Sequence, residues 1–448
     1  MSESFSISIH EWLGLSSGDP AESATNSELA INIGENCVTQ VEDLESRTVR
    51  STIRVSAEPI AKWLVANWWR LRWEPELATE NLDWLMAHST AAIGGGYVWP
   101  DLVFRGSDGV KVFVLCKRHA SGSNESIVPV RFLNSFGATV SAIDFESSVK
   151  SFVETVLVRL SDMGVKKSEL QELWHDLTNE LSNTKLSSYR KLEAYPGIDP
   201  DSNDSLISSL LKWSKQLGQL AIEEIAAASS STEIQAILSQ VKGIAQRIKT
   251  FADVPRLDEL APHVGDSLNQ TSGPAPWQHG QYLAYALRQK WELSSAPVAD
   301  LALAERLSLP IAKLQETKPE APFSFGYRGP SDGKLGFAVN RVHDHGRRFD
   351  IARVLGDYLA PDFNDRMMPV TNTMTARQKF QRAFAAEFLC PSVMIEERYP
   401  NGIDQRSIGK VVEQISDEYN VSEQVVLHHM ENRHLVSRGL IDSPLLLA

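Results

Sequence analysis

Arg353 and Asp357 stand one helical turn apart in a stretch whose apolar residues recur at steps of three and four. A guanidinium and a carboxylate at that spacing can close an ion pair on one helix face, and in a cavity such a pair serves geometry more than net stability. Val354, between them, can neither accept a proton nor hold a cation. Gln378 follows in a second periodic run and offers an amide that both donates and accepts. Histidines gather in His343-Asp344-His345 and again at His428, His429 and His434. No two of the latter three are three or four residues apart, so they miss the spacing that lets two imidazoles share a metal from one helix. The first pair lacks a third ligand at metal spacing. Solvated residues before a helix and a polar coat near a helix end are the readings for the two groups. Asp101 and Lys117 add one carboxylate and one amine at the far ends of a candidate hairpin.

The elements that must hold these residues can be read from periodicity. Arg347 to Ala360 carries Phe349, Ala352, Leu355 and Leu359 on one face and predicts an amphipathic helix. Phe380, Phe384 and Phe388 repeat every fourth residue and predict a core-facing stripe, with Glu387 at its margin reaching solvent. From Ile408 to Leu440 the rhythm is helix, turn, helix: Val411, Val412 and Ile415, then Tyr419 to Ser422, then Val425, Val426 and Met430. Ser422 is the expected N-cap of the second helix. That helix would offer Glu423, Gln424, His428 and His429 to a groove, a poor set for reading bases, so a nucleic-acid partner is the weaker expectation.

At 448 residues the chain predicts two or three domains, and 42% hydrophobic with 23% charged residues is ordinary for a globular protein. The net charge of −13 disfavours a broad nucleic-acid surface. Residues 1–140 predict a Trp-rich N-terminal α/β domain. Within it Val49, Ile53 and Val55 are expected on one side of a strand, and Ile60 to Leu71 forms a helix whose tryptophans fill a core. Residues 141–270 predict a helical connector or bundle, with helices near Phe145 to Met163, Lys167 to Leu181, Leu206 to Ala227 and Thr232 to Phe251. Thr271 to Pro276 reads as a linker, and 277–448 as a mostly helical domain with a small sheet. Cys37, Cys116 and Cys390 form no metal-spaced pair, which predicts a reducing, cytoplasmic setting. No signal peptide and no membrane span are expected, since no run of about eighteen apolar residues occurs.

Two motifs carry resemblances. Asp101 to Arg105 and Val110 to Cys116 form the best hairpin in the chain, and Pro100-Asp101 with Lys117 partly matches a nuclease pattern. That pattern needs a second carboxylate for magnesium where Leu115 stands, so a plain hairpin is the preferred reading. The second resemblance is broader. Helices around Gln281 to Lys290 and Val298 to Leu307, and strands around Phe323 to Tyr327 and Gly336 to Asn340, precede Arg353-Val354-Leu355-Gly356-Asp357. Then comes Phe384-Ala385-Ala386-Glu387-Phe388-Leu389-Cys390-Pro391. From about Trp277 onward this order resembles the ImmA/IrrE family of metallo-endopeptidase domains, with Arg353, Val354 and Asp357 where the family has His, Glu and His, and Gln378 at its third ligand position.

The resemblance implies a C-terminal mostly helical, zincin-like domain in a multidomain α+β protein, after an N-terminal α/β region with a β-hairpin and a central helical bundle. It also implies a catalytic centre lost to substitution, with neither metal nor cofactor. Family relatives act in bacterial and mobile-element regulation, stress response, toxin–antitoxin and phage-defence loci. The expected role is therefore a regulatory or scaffold pseudoenzyme that binds a protein partner: a regulator, a toxin or a defence-complex subunit. The alternatives are a hydrolase, either a peptidase with a displaced metal or a nuclease through Asp101 and Lys117, and a DNA-binding regulator using the tail.

Overall fold

The computed structural model describes residues 2–14, 18–76, 82–106, 108–117, 130–254, 275–329, 333–360, 365–400, 402–404 and 406–436. They form a multidomain α+β chain of 18 helices and four small sheets with antiparallel ladders. The chain divides into two compact units, Met1–Ser208 and Ser209–Ala448. No helix among the described residues is long and apolar enough to cross a membrane.

The first unit opens with β1 (Phe5–Trp12), α1 (Pro20–Ala24), β2 (Asn26–Ile33), β3 (Asn36–Cys37), β4 (Val41–Asp43), β5 (Thr48–Arg50) and β6 (Ile53–Ser56). There follow α2 (Ala57–Ala66), α3 (Trp68–Trp73), α4 (Leu82–His88), the hairpin β7 (Asp101–Gly106) and β8 (Lys111–Lys117), then β9 (Val130–Phe132) and β10 (Phe136–Ser141). Helices α5 (Ala142–Asp162), α6 (Glu169–Ser182) and α7 (Thr184–Ala194) complete it. Strand β2 pairs with β1 on one edge and with β6 and β3 on the other, β8 lies between β7 and β10, and β4 between β5 and β9. Helix α5 closes the core with a stripe of Phe145, Val149, Phe152, Val153, Val156 and Leu160, all buried. Phe5 and Phe104 meet the Phe145 ring at centroid distances of 5.5 and 5.3 Å.

Two expectations for this unit need correction. Val49 does not share a face with Ile53 and Val55, because Ser51 and Thr52 divide the stretch into β5 and β6, which belong to different sheets. Val49 is 58% exposed, while Ile53 and Val55 are buried. The helix expected over 60–71 is two helices, broken where the Asn67 side chain donates to the Trp63 carbonyl at 2.9 Å. Trp63, Trp68, Trp69, Trp84 and Trp99 are buried, as a core reading requires.

The helices expected between 141 and 270 are shared between the units, and the division falls within α8 (Asp204–Leu217). Gly218, at φ +109°, ends α8 and starts α9 (Gln219–Ala227), splitting the helix expected over 206–227. Next come α10 (Ile234–Gln246), α11 (Pro276–Lys290), α12 (Asp300–Arg306) and α13 (Ile311–Gln315). Positions 271–274 of the expected linker lie outside the described residues. Strands β11 (Ser324–Arg328), β12 (Leu335–Ala338) and β13 (Met367–Val370) form a sheet with β11 in the middle. Helix α14 (Asp344–Leu359) runs between β12 and β13, and α15 (Ala376–Leu389), α16 (Ser392–Arg398), α17 (Ile408–Tyr419) and α18 (Glu423–Asn432) follow.

Helices α14 and α15 approach closely because Gly356 has no side chain: a Cβ there would lie 2.5 Å from the Phe384 ring. Gly356→Ala is therefore expected to destabilise this unit by about 1–3 kcal/mol through overpacking. Urea unfolding of the variant against the parent chain checks this, and an unchanged midpoint would remove the claim of tight contact. Phe380, Phe384 and Phe388 are fully buried on α15, the last two rings stacked at 5.6 Å. Asn420, in the left-handed region at φ 52°, turns the chain from α17 to α18. Ser422 occupies the N-cap position of α18 but makes no side-chain capping bond.

Candidate functional site

Helices α14 and α15 carry a row of polar side chains on their facing sides, and Thr375 starts the second helix by accepting the Gln378 N–H on its hydroxyl at 3.3 Å. Arg353, Asp357 and Gln378 thus come together in the interior, none more than 3% exposed. Arg353 donates through Nη2 to Gln378 Oε1 at 2.5 Å and to the Thr371 carbonyl at 2.7 Å. Gln378 also accepts the Thr371 N–H at 2.9 Å and donates to the Pro369 carbonyl at 2.9 Å.

The ion pair expected between Arg353 and Asp357 does not form. Asp357 is bound instead by Arg377 Nε, at 3.0 and 3.2 Å to its two oxygens, and by Gln381 Nε2 at 2.6 Å. Arg377 reaches onward to Asp365 at 2.6 Å. The physical reason is that the facing helix α15 supplies a nearer partner to each: Gln378 to Arg353, and Arg377 and Gln381 to Asp357. The carboxylate nearest Arg353 is Asp350, at 3.7 Å, and Asp350 is itself held by Ser324 at 2.7 Å and Arg341 at 3.2 Å.

These surroundings set the charges. Burial pushes the Asp357 carboxyl above its ordinary range, with Arg377 opposing it. Burial likewise disfavours charge on Arg377, but Asp357 and Asp365 overcome this and hold it above its ordinary value. For Arg353 burial prevails, and the Arg382 charge adds to it, so the guanidinium is shifted down. Glu224 of α9 joins the cluster from outside, accepting from the Thr375 hydroxyl at 2.8 Å. Burial pushes its carboxyl up to about 7, against the pull of Arg377.

The cluster does not fit a zinc ion. Arg353 has no lone pair to give, and Val354 packs on the sheet, where a Cβ on Gly326 would lie 2.5 Å from its methyl group. Asp357 and Gln378 already direct their oxygens at Arg377, Gln381, Arg353 and a backbone N–H. The arrangement can lock two helices and a strand together, and the oxygens of Asp357 and Gln378 are already engaged by neighbouring donors.

The remaining candidates are dispersed. Asp101 and Lys117 face each other across the β7–β8 ladder, and Ser89 donates to Asp101 at 2.8 Å; Leu115 pairs with Val103. His343 and His345 flank the start of α14, with His343 exposed. Glu387 does not reach solvent as expected: it is 8% exposed and accepts the Ser392 N–H at 3.1 Å. His429 is not part of a polar coat either. It is buried near Glu387, and burial pushes its imidazole pKa down while that carboxylate pulls the other way. Both corrections have one cause: α18 packs on the helices around it, so the margins of their apolar faces are covered. Among the described residues, the one metal-spaced group is Glu193, Asp201 and Asp204 of the first unit, and Arg190 already bonds Glu193 and Asp201 at 2.8 Å.

No protein-family model, curated protein or solved structure matches the chain. The geometry also shows what sequence reasoning missed. Arg377 and Gln381 lie one turn apart in line with Phe384 and Phe388, so two polar residues interrupting a buried stripe were a usable signal for the cluster. Nothing in the local pattern of α9 singles out Glu224.

Proposed function

We propose that the chain is a regulatory or scaffold protein that binds a protein partner through a non-catalytic, ImmA/IrrE-like pseudopeptidase unit. Its setting would be a cytoplasmic bacterial or mobile-element regulation, toxin–antitoxin or phage-defence system. The observation that carries this reading is the meeting of Arg353, Asp357 and Gln378. They converge in the interior at positions where the resemblance expects metal ligands, yet each already bonds groups of its own chain: Arg353 through Nη2, Asp357 through both oxygens and Gln378 through its amide. A unit that keeps a peptidase framework with these positions already engaged retains recognition as its remaining use.

The test is metal content and cleavage on the same sample. The full chain is incubated with excess zinc, freed of unbound metal and measured by elemental analysis, then assayed for chelator-sensitive cleavage of casein and of single- and double-stranded DNA. Sub-stoichiometric zinc, no cleavage and a stable stoichiometric complex with a protein co-purifying from the native host are expected. Stoichiometric zinc, or cleavage abolished by chelator, would overturn the reading in favour of a hydrolase.

A further inference from the structure

The outer edge of β12 is left incomplete at one residue. Leu335 exchanges both backbone hydrogen bonds with Ala252, at 2.6 and 3.2 Å, and the Val339 carbonyl accepts the Lys318 N–H at 2.6 Å. An antiparallel ladder alternates bonded and non-bonded pairs. With Leu335 turned outward, Gly336 and Ala338 bond to β11, and Phe337, opposite Gly326, turns its N–H and C=O outward again. Among the described residues that pair meets no backbone partner between Ala252 and Lys318.

Phe337 lines a pocket of about 180 Å³ floored by Ile244, Ile248 and Leu309. Four cations, Arg247, Lys249, Lys313 and Lys318, line it against two carboxylates, Glu316 and Glu320. Glu316 holds Lys313 at 2.6 Å and Lys318 at 2.5 Å, and Arg247 stands 3.9 Å from Glu320. Lys249 is exposed and has no acidic partner among the described residues. The local excess is positive in a chain whose net charge is −13. An outward-facing N–H and C=O on one residue match a peptide backbone, whereas a small anion would need the cations alone.

We propose that this edge docks an extended acidic segment of a partner protein. The segment makes a single β-bridge to β12: one of its residues exchanges both backbone hydrogen bonds with Phe337 and its flanks turn away before Ala252 and Lys318, an apolar side chain enters the pocket, and its carboxylates meet Lys249 and Arg247. The site is separate from the Arg353 cluster, which is reached from β13, the opposite edge of the sheet. It rests on the protein-binding reading above and supplies the chemistry of the segment recognised.

The test is fluorescence anisotropy of a labelled pentapeptide of alternating Glu and Val, blocked at both ends, titrated with the full chain. Saturable binding is expected. Lys249→Glu and, separately, N-methylation of the peptide's central residue should each weaken it about tenfold, the first through charge and the second through the lost backbone bond. An alternating Lys and Val peptide should not bind. Absence of binding, equal binding of the N-methylated peptide, or full competition by millimolar glutarate would overturn the proposal, the last making this a small-anion site. The peptide titration reads this edge alone, so its failure leaves the zinc and cleavage test standing, and the reverse holds.

Discussion

Asp357→Ala is expected to destabilise the second unit by about 3 kcal/mol, the lower end for breaking a buried ion pair, because it removes one of the two carboxylates that hold the buried Arg377 guanidinium. Asp357 is fully buried and supplies both oxygens to Arg377 Nε; its removal leaves Arg377 with Asp365 and the Met367 carbonyl, and leaves Gln381 with the Pro369 carbonyl alone. Arg353→Met should behave differently and stay within about 1 kcal/mol of the parent, since a buried cation whose nearest carboxylate is 3.7 Å away is replaced by an apolar side chain of similar length. Gln378 keeps the Thr371 N–H in that variant. Hydrogen exchange of peptides from α14 and α15 in the full chain measures both. Equal losses for the two variants would mean that Arg353 and Asp357 act as one pair, contrary to the contacts described.

The second large effect is a pH dependence that Glu224→Gln should remove. The folded chain raises the Glu224 carboxyl from 4.5 to about 7. A carboxyl raised on folding contributes stability that is fully present below about pH 4.5 and is lost as pH rises through about 7, because the folded state holds the proton longer than the unfolded one. The shift corresponds to about 3 kcal/mol. The Gln variant keeps an oxygen for the Thr375 hydroxyl and never ionises, so it should match the parent near pH 4.5 and exceed it by roughly that amount at pH 8. The difference between the two stability curves isolates Glu224 from other buried groups, such as Glu74 of the first unit, which is also raised to about 7 by burial. Parallel curves from pH 4.5 to 8 would show that Glu224 does not carry the linkage.

Much of the secondary structure is legible in the sequence because amphipathic spacing survives without context. The helix around Arg353, the Phe380–Phe384–Phe388 stripe, the β7–β8 hairpin and the paired helices of the tail were all readable from the repeat of apolar side chains. Errors fell where a single residue ends an element. Asn67 and Gly218 each cut one expected helix into two, and Ser51-Thr52 sends Val49 to a different sheet from Ile53, a change of direction that alternation within one segment cannot register.

The site divides along the same line. The sequence by itself determined which functional groups are present: a guanidinium, a carboxylate one turn away and an amide in the following periodic run. Only the tertiary structure decided who bonds to whom. Spacing along one helix suggested Arg353 with Asp357, but a buried side chain takes the partner offered by the facing helix, and Arg377, 20 residues further along, fills that place. Glu224, 151 residues from Thr375 in the chain, joins the same network. The unfinished edge at Phe337 is likewise invisible in sequence, because an unpaired backbone group is a property of the strands that pack beside it and not of the residue that bears it.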